Sequence, residues 1–382
     1  MFNILPFIIS LFLINSQQQS NQNVVAFTLD NPSERVVWER IRLADPITGE
    51  IPKNIRKKEM IFAKTLPKST AMSKANWVHR GPYNVGGRTR ALAMDVLDEN
   101  TLFAGGASGG MFRSTDLGLS WAMTTDPNQL HNVTCVSQDR RQGKENIWYF
   151  GSGELTGSSA SGGEAYYGGN GIYKSVDGGL SWDSLSVTAT NTNGFDSDFD
   201  FIWNIETDPS NDSLDVVYAA TYGTIYRSEN GGNSWVQELG GGSAYYNNVE
   251  VASNGVVYAT LSSDGLDKGI WRSVDGQNWT NITDSLFPPV YGRIAIGINP
   301  SNENQVYFLA AETDNYGQYT DVFFNGQTWT SLWKYDASDS SWVNLSANIP
   351  ANQATSFDNF NAQGGYDLLV KVHPSDPNTV YI

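Results

Sequence analysis

The sequence predicts an all-β fold built from one repeated unit, and three observations support this. The 382 residues include 37 Gly and 12 Trp, and a turn-like octapeptide recurs along the chain. Runs of alternating apolar and polar residues, typical of strands, precede the copies. Charged residues make up only 17% of the chain, which with the aromatic content excludes a disordered polyelectrolyte, a coiled coil and a collagen-like chain. The single Cys excludes a disulfide scaffold.

The charge of the chain is unevenly distributed. Residues 1–92 contain 13 basic and 6 acidic residues, a net charge of +7, whereas residues 93–382 contain 11 and 34, a net charge of −23. The acidity therefore belongs to the repeat region. The overall charge of −16 disfavours a nucleic-acid binder and a protein that lies on anionic membranes.

The chain begins with an apolar run at residues 4–14, which is too short to cross a bilayer, since a spanning helix needs ~20 residues. A polar run follows at residues 17–19. We therefore predict a signal peptide over residues 1–16, with cleavage near Ser16, and export through the secretion machinery. The alternative interpretation is a buried N-terminal strand.

Residues 17–76 are predicted to form a polar, basic arm. The amphipathic stretch Ser33–Leu43 predicts a short helix within it. We expect the apolar side chains of this helix to pack onto the neighbouring domain: Val36, Val37, Trp38 and Ile41. Alternatively, the basic run at residues 53–58 holds the arm on the acidic repeat region, and docking would then depend on salt.

The recurring octapeptide has the composition of a hairpin turn. It is present at residues 114–121 (STDLGLSW), 175–182 (SVDGGLSW) and 228–235 (SENGGNSW), one residue shorter at 273–279 (SVDGQNW), and in a degenerate copy that ends at Trp342. Its acidic or amide side chain can accept hydrogen bonds from backbone N–H groups of the same turn. We therefore predict a structural role in the turn for Asp116, Asp177, Asn230 and Asp275.

The other two positions of the octapeptide also have structural roles. Glycine supplies a positive φ without steric cost at Gly118, Gly178 and Gly231. The aromatic residue begins the returning strand and is expected to pack between adjacent sheets: Trp121, Trp182, Trp235 and Trp279.

Four strands per unit, with 44 to 63 residues between successive Trp residues of the repeat, are typical of β-propeller blades. We predict a propeller over residues 77–382, with five complete four-stranded blades and part of a sixth that begins at Tyr366. The chain stops in a strand-like pattern at residues 380–382, so we expect the ring to be incomplete in this chain.

The octapeptides resemble the Asp-box (BNR) repeats of sortilin-type propellers, sialidases and xyloglucan-degrading glycoside hydrolases. The stretch 77–90 (WVHRGPYNVGGRTR), with 45–52 (DPITGEIP), resembles large secreted propeller proteins of Bacteroidetes, which usually carry a C-terminal domain for type IX secretion. The resemblance covers residues 35–382 and implies a secreted or cell-surface protein.

The connections on one face of the predicted propeller vary in length, and function is usually placed in such loops. They comprise residues 104–111, 151–171, 183–200, 219–224, 260–269, 310–331 and 343–366. Glu154 is the preferred candidate, because it follows a strand and is expected to face the central mouth; the alternative is an exposed loop carboxylate. Further catalytic candidates are Glu312 and Asp314, and further binding candidates are Arg88, Arg90, Tyr166, Tyr167 and Tyr316.

The alternating acids Asp196, Asp198 and Asp200 suggest calcium. An EF-hand counted from Asp196 would need Gly where Phe201 stands and Glu where Thr207 stands, so that motif fails. Two interpretations of these residues remain, a calcium site of another type and a solvated loop. No other cofactor is predicted. The lone Cys135 is expected to be a buried structural thiol.

Two of the resembling enzyme families can be compared at particular positions. Sialidases hold a carboxylate with three arginines, but here the repeat position before the octapeptide accounts for Arg113, Arg227 and Arg272. In xyloglucanases the first blade resembles TDxGGxYR, whose Asp is the catalytic base, and Ala107 stands at that position here. We therefore favour a secreted scaffold that binds a glycan or a protein at the variable-loop face. The alternative is a glycoside hydrolase that acts on extracellular polysaccharide.

Overall fold

A computed structural model describes most of the repeat region and two segments that precede it. The described residues are 32–52, 55–66, 87–126, 129, 132–155, 167–192, 195–312, 317–321, 328–349, 362 and 365–382. The predicted signal peptide lies outside them, as do three of the candidate site residues: Tyr166, Asp314 and Tyr316.

Five antiparallel sheets of at least four strands follow one another along the chain, each built from consecutive strands. The first blade consists of β1 (Thr89–Met94), β2 (Leu102–Gly106), β3 (Gly110–Ser114) and β4 (Ala122–Met123). The second consists of β5 (Cys135–Gln138), β6 (Trp148–Gly151), β7 (Ile172–Ser175) and β8 (Asp183–Ser184). The third consists of β9 (Ile202–Thr207), β10 (Val217–Thr221), β11 (Thr224–Ser228) and β12 (Val236–Gly240).

The fourth blade consists of β13 (Asn247–Val251), β14 (Val257–Leu261), β15 (Gly269–Ser273) and β16 (Trp279–Asn281). The fifth consists of β17 (Tyr291–Ile298), β18 (Gln305–Glu312), β19 (Gln318–Asp321), β20 (Thr328–Asp336) and β21 (Ser341–Asn344). A two-stranded sheet of β22 (Lys371–Val372) and β23 (Val380–Tyr381) follows. The predicted all-β propeller, with five complete blades and part of a sixth, is confirmed.

The fifth blade differs from the repeat pattern by one strand. Its sheet order is β17-β18-β20-β19, and β21 pairs with the other part of β20. The extra strand β19 pairs with Thr328–Thr330 at the start of the nine-residue strand β20. The sequence analysis assigned this part of the chain to a variable loop. Long strands β18 and β20 extend the blade there and offer an edge on which β19 can pair.

The core consists of five apolar clusters, each of which joins two successive blades. Between the first two blades, for example, the rings of Phe103 on β2 and Trp148 on β6 lie with centroids 4.3 Å apart. Sheets packed face to face in this way leave the first strand of each blade nearest the centre. Those inner strands, with residues 366–371, line a central channel of about 1020 Å³.

The octapeptide turns form side-chain-capped hairpins on the face opposite the variable loops. In the second blade, Oδ1 of Asp177 accepts hydrogen bonds from the backbone N–H groups of Leu180 and Ser181, both at 3.0 Å. In the third blade, Oδ1 of Asn230 accepts a hydrogen bond from the N–H of Ser234 at 2.9 Å. Burial tends to raise the pKa of Asp177, but hydrogen bonds from the hydroxyls of Ser181 and Ser175, and then from these backbone N–H groups, outweigh it and lower the pKa to about 2.

The tryptophan of the octapeptide packs against the preceding blade. Trp182, only 3% exposed, donates a hydrogen bond from Nε1 to Oγ1 of Thr124 in the first blade at 2.9 Å. A Cβ at Gly179, whose φ is +76°, would lie 2.2 Å from the ring of Phe103. Glycine is therefore needed there both for the turn and for the approach of the neighbouring blade.

The expectation that every tryptophan of the repeat packs between sheets is wrong for Trp121. This side chain is 40% exposed, and its Nε1 donates to the carbonyl of Gly118 within its own turn. The physical reason is its place in the first blade: within the described residues, no earlier blade lies against it.

Two helices precede the propeller, α1 (Pro32–Leu43) and α2 (Ile55–Thr65). α1 matches the predicted helix, but its expected packing is wrong, since Val37, Trp38 and Ile41 are each more than half exposed. The Arg42 guanidinium instead lies over the Trp38 ring, 4.7 Å from its centroid. The helix α2 was not predicted; it begins within the basic run at residues 53–58 and extends beyond it. Neither helix, nor any other in the described part of the chain, is long and apolar enough to cross a membrane.

Candidate functional site

The variable-loop end of the central channel brings together residues that are far apart in the sequence. We call this cluster the channel mouth and define it as Arg88, Arg90, Glu154, Trp203, Arg293 and Tyr366. The inner strands of three blades supply its basic and indole side chains, because each inner strand begins at this face. Glu154 comes from the connection that follows β6, and Tyr366 from the segment before β22.

Glu154 lies at the centre of the channel mouth and its side chain is fully buried. Its backbone pairs with that of Tyr167 across the base of the long loop of the second blade. The carboxylate forms an ion pair with Arg88, with Oε2 and Nη2 2.7 Å apart, and a longer one with Nε of Arg90 at 3.6 Å. Glu154 therefore reaches the channel only through the channel-lining side chains that it contacts, and that it faces the central mouth stays a prediction. The alternative of an exposed loop carboxylate is wrong, since Glu154 is 1% exposed.

Tyr366, from the other end of the chain, hydrogen-bonds both partners of the Glu154–Arg88 ion pair. Its hydroxyl donates a hydrogen bond of 2.7 Å to Oε1 of Glu154 and accepts one of 3.1 Å from Nη1 of Arg88. The guanidinium of Arg90 lies over the Tyr366 ring, 4.6 Å from its centroid. Burial is the largest cause that raises the pKa of the Tyr366 hydroxyl, followed by its hydrogen bond to Glu154.

Arg293 and Trp203 extend the channel mouth beyond the Glu154 ion pairs. Nη1 of Arg293 donates to the carbonyl oxygens of Tyr366 at 2.9 Å and Gly365 at 3.4 Å. The guanidinium groups of Arg90 and Arg293 each lie 5.9 Å from the ring centroid of Trp203. Burial, and then the like charge of Arg90, lower the pKa of Arg293 to about 9.

A second group of charged residues lines the channel further from the variable loops. Glu206 on β9 and Glu250 on β13 belong to neighbouring inner strands. Nζ of Lys371 lies 2.7 Å from Oε1 of Glu250. Burial and the neighbouring charge of Glu250 raise the pKa of Glu206 to about 8. The protonated form of Glu206 is therefore favoured, whereas Glu250 is paired with a lysine.

The remaining site predictions have different outcomes. Tyr167 follows the long loop of the second blade and is 41% exposed, with the Arg88 guanidinium 5.8 Å from its ring centroid. Glu312 ends β18, where its backbone lies opposite Tyr291 and Trp329. The candidates Tyr166, Asp314 and Tyr316 lie outside the described residues, so the structure does not place them.

The candidate calcium ligands are used by other contacts. Oδ2 of Asp200 accepts hydrogen bonds from the backbone N–H groups of Asp196 and Ser197, both at 2.9 Å, and so caps a short 3₁₀ turn. Oδ2 of Asp198 accepts from the hydroxyls of Thr224 and Tyr226. Within the described part of the chain, no group of three His, Cys, Asp or Glu side chains is arranged to hold a metal ion. The three aspartates proposed as calcium ligands therefore do not converge on one site.

Cys135 lies on the inner strand β5, buried and unpaired with any other cysteine. Burial raises the pKa of its thiol to about 12, so the group is not a thiolate at neutral pH. Its position agrees with the predicted structural thiol.

Sequence reasoning missed Arg293, Trp203 and Tyr366 as site residues. One signal could have found the first of them. Arg90 and Arg293 occupy the same place in two inner-strand patterns, Arg-Ala-Leu-Ala and Arg-Ile-Ala-Ile, so they point to the same level of the channel. Tyr366 carries no comparable signal, because only the closure of distant segments around the channel brings it to Glu154.

Comparisons with known proteins support the same architecture. No protein-family model matches this sequence. A xyloglucanase of Paenibacillus is 24% identical over 383 residues, an alignment that covers 84% of this chain and 35% of that enzyme. An ancestral GH74 enzyme superposes with a TM-score of 0.52 and 20% identity, covering 77% of this chain and 34% of that one. The Niastella koreensis GH74 enzyme superposes with a TM-score of 0.52 and 19% identity, covering 76% of this chain and 43% of that one.

These similarities establish the fold of the chain but not its activity. The chain has a β-propeller similar to those of GH74 glycosidases. It spans about a third of the length of the curated relatives it matches.

Proposed function

We propose that this chain is a glycosidase-like propeller that binds an extracellular polysaccharide at the channel mouth. The observation that carries the proposal is a buried, ion-paired Glu154 beside an exposed aromatic side chain, Tyr167. The side chains that Glu154 contacts line one end of a channel of about 1020 Å³. The similarity to xyloglucanases supports a glycan as the ligand class. The predicted signal peptide would bring the protein to the same compartment as such polymers.

The chemistry of the channel mouth suits a carbohydrate. Sugar rings present flat apolar faces to aromatic side chains and hydroxyls to fixed polar groups, and ligand sites commonly combine the two. Tyr167 offers an exposed ring face, while Arg88 and Tyr366 present hydrogen-bonding groups held in place by Glu154. Because these contacts already fix the side chains, a glycan would not have to order them on binding.

Hydrolysis of the bound glycan is the second candidate, and the xyloglucanase relatives favour it. Two carboxyl groups on either side of the scissile bond are generally required. Glu154 can supply one of these carboxyl groups, and two guanidinium groups and a hydroxyl hold it in place. Glu312 and Asp314 stay predictions for the partner acid. Ala107, at the position of the catalytic base in xyloglucanases, argues against the mechanism of those relatives.

The proposal is tested with a panel of plant and microbial polysaccharides, measured by affinity electrophoresis and by release of reducing ends. We expect retarded migration in at least one polymer gel, weakened by Tyr167→Ala. Trp121→Ala is the matched control, since Trp121 is equally exposed but lies on the opposite face. Binding without new reducing ends supports a binding scaffold. Turnover that Glu154→Gln abolishes supports hydrolysis, and failure to bind any polymer contradicts the proposal.

A further inference from the structure

The channel mouth carries more positive than negative charge, although the repeat region around it is strongly acidic. Its three guanidinium groups face the single carboxylate of Glu154 and, within the described residues lining this end, one further acid, the exposed Asp367. Arg88 and Arg90 end the basic part of the chain, but the blades around them belong to residues 93–382, whose net charge is −23.

The buried carboxylate of Glu154 is already bound by other side chains of the channel mouth. Both oxygens of Glu154 are engaged, one by Arg88 at 2.7 Å and the other by Tyr366 at 2.7 Å, and Arg90 approaches the latter oxygen only to 3.6 Å. Arg90 is nine-tenths buried, and its Nε has no hydrogen-bond partner among the described residues. Its charge is therefore only partly neutralised.

Arg293 has no carboxylate of its own. Its hydrogen bonds go to two carbonyl oxygens, and it makes no ion pair with any residue that the structure describes. A partly buried guanidinium without an ion pair is costly, because burial removes its solvation and the exposed Asp367 compensates for this only from a distance. A bound anion would supply that charge.

The guanidinium groups of Arg90 and Arg293 are suited to binding a planar anion. Guanidinium groups form paired hydrogen bonds with carboxylates, which a lysine cannot reproduce. Trp203 lies 5.9 Å from the guanidinium groups of both Arg90 and Arg293 and lines the channel with them, and its buried Nε1–H likewise has no acceptor among the described residues. Two basic groups and one indole donor thus lie together at this end of the channel.

We propose that the channel mouth recognises the carboxylate of a uronic acid residue, so that the preferred polysaccharide is an acidic one. Arg293 and Arg90 bind the carboxylate, Trp203 donates a hydrogen bond through Nε1, and Tyr167 supports the sugar ring. This inference rests on the proposed glycan-binding function and adds to it the substrate class. It departs from the neutral backbone expected of a xyloglucan.

The experiment compares polygalacturonate with the same polymer after chemical reduction of its carboxyl groups, by isothermal titration calorimetry on the full chain. We expect the native polymer to bind at least about tenfold more tightly, the effect of one charge-assisted hydrogen bond in a protected site. In Arg293→Gln this ratio should fall towards one, and Arg293→Lys should give an intermediate value. Arg113→Gln, an arginine outside the channel, should retain the wild-type ratio.

A second measurement does not depend on whether the variants fold. Free galacturonic acid should raise the thermal unfolding midpoint of the wild-type chain, whereas galactose at the same concentration should raise it less. A ratio near one in the calorimetry, with both polymers bound, overturns the uronate inference but leaves the glycan-binding function intact. A high ratio that Arg293→Gln does not change also overturns it. Failure of every polymer in the panel to bind would instead overturn the proposed function.

Discussion

The hydroxyl of Tyr366 donates a 2.7 Å hydrogen bond to Glu154, across 212 positions of sequence. This bond joins the second blade to the segment that leads into the last sheet, and the Arg88 ion pair adds the first blade to the same link. Three parts of the propeller therefore meet at one buried carboxylate, which makes Glu154 a structural as well as a candidate functional residue.

Removing the charge of Glu154 should destabilise the protein. Glu154→Gln leaves Arg88 and Arg90 without their counter-charge, and we expect a loss of about 3 kcal/mol in the free energy of unfolding, the lower end for breaking a buried pair, because Arg88 is partly exposed. Tyr366→Phe removes the two hydrogen bonds of the hydroxyl, to Glu154 and from Arg88, but keeps the ion pair, so a smaller loss of about 1–2 kcal/mol is expected. Urea unfolding measures both, and equal losses for the two variants would contradict this account.

The propeller could be predicted from the sequence because each blade repeats a local signal. The turn at Asp177 needs only residues within a few positions of it, and the apolar run of β17 indicates a largely buried strand. The channel mouth could be predicted only in part, through Arg88, Arg90 and Glu154. Their partners Tyr366 and Arg293 depend on which segments surround the channel, and that is a property of how distant blades pack together rather than of any local pattern.

The tryptophans of the repeat should differ in their contribution to stability. Trp182→Ala removes a buried ring that bridges two blades and should cost about 3–5 kcal/mol in the free energy of unfolding. Trp121→Ala removes a ring that is 40% exposed, so the cost should be less than about half as large. Chemical denaturation of the two variants checks this, and equal costs would show that Trp121 packs as deeply as Trp182.

A buried ion pair joins the turns of the second and third blades. Arg141 contacts Asp139 through Nε at 2.9 Å and Asp215 through Nη2 at 2.7 Å, and its Nη1 donates to the carbonyl of Leu214 at 2.8 Å. Asp139 is only 2% exposed. Arg141→Met would leave that carboxylate buried and unpaired, so we expect a loss of about 3–5 kcal/mol in the free energy of unfolding.

Two further variants test the cause of that loss. Adding Asp139→Asn to Arg141→Met should restore part of the stability, because the buried charge is then removed. Lys144→Met is the surface control: its ammonium group also contacts Asp215, but both side chains are more than a third exposed, so the change should stay below about 1 kcal/mol. A double variant that is less stable than Arg141→Met would show that the unpaired charge is not the cause. Urea unfolding at neutral pH gives all three values.

The raised pKa of Glu206 makes stability depend on pH. Unfolding returns this carboxyl group from about 8 to its ordinary pKa of 4.5. Between these pH values the folded state binds more protons than the unfolded state, so Glu206 lowers the free energy of unfolding progressively as the pH rises through this window, and its effect levels off above about 8. Glu206→Gln stays uncharged at every pH and should remove this component, giving a variant more stable than the wild type at pH 8.5 and similar to it at pH 4.5. The exposed Glu99→Gln serves as the control. Urea unfolding across the range measures the difference between variant and wild type, and a difference independent of pH would show that Glu206 is charged in the folded protein at neutral pH.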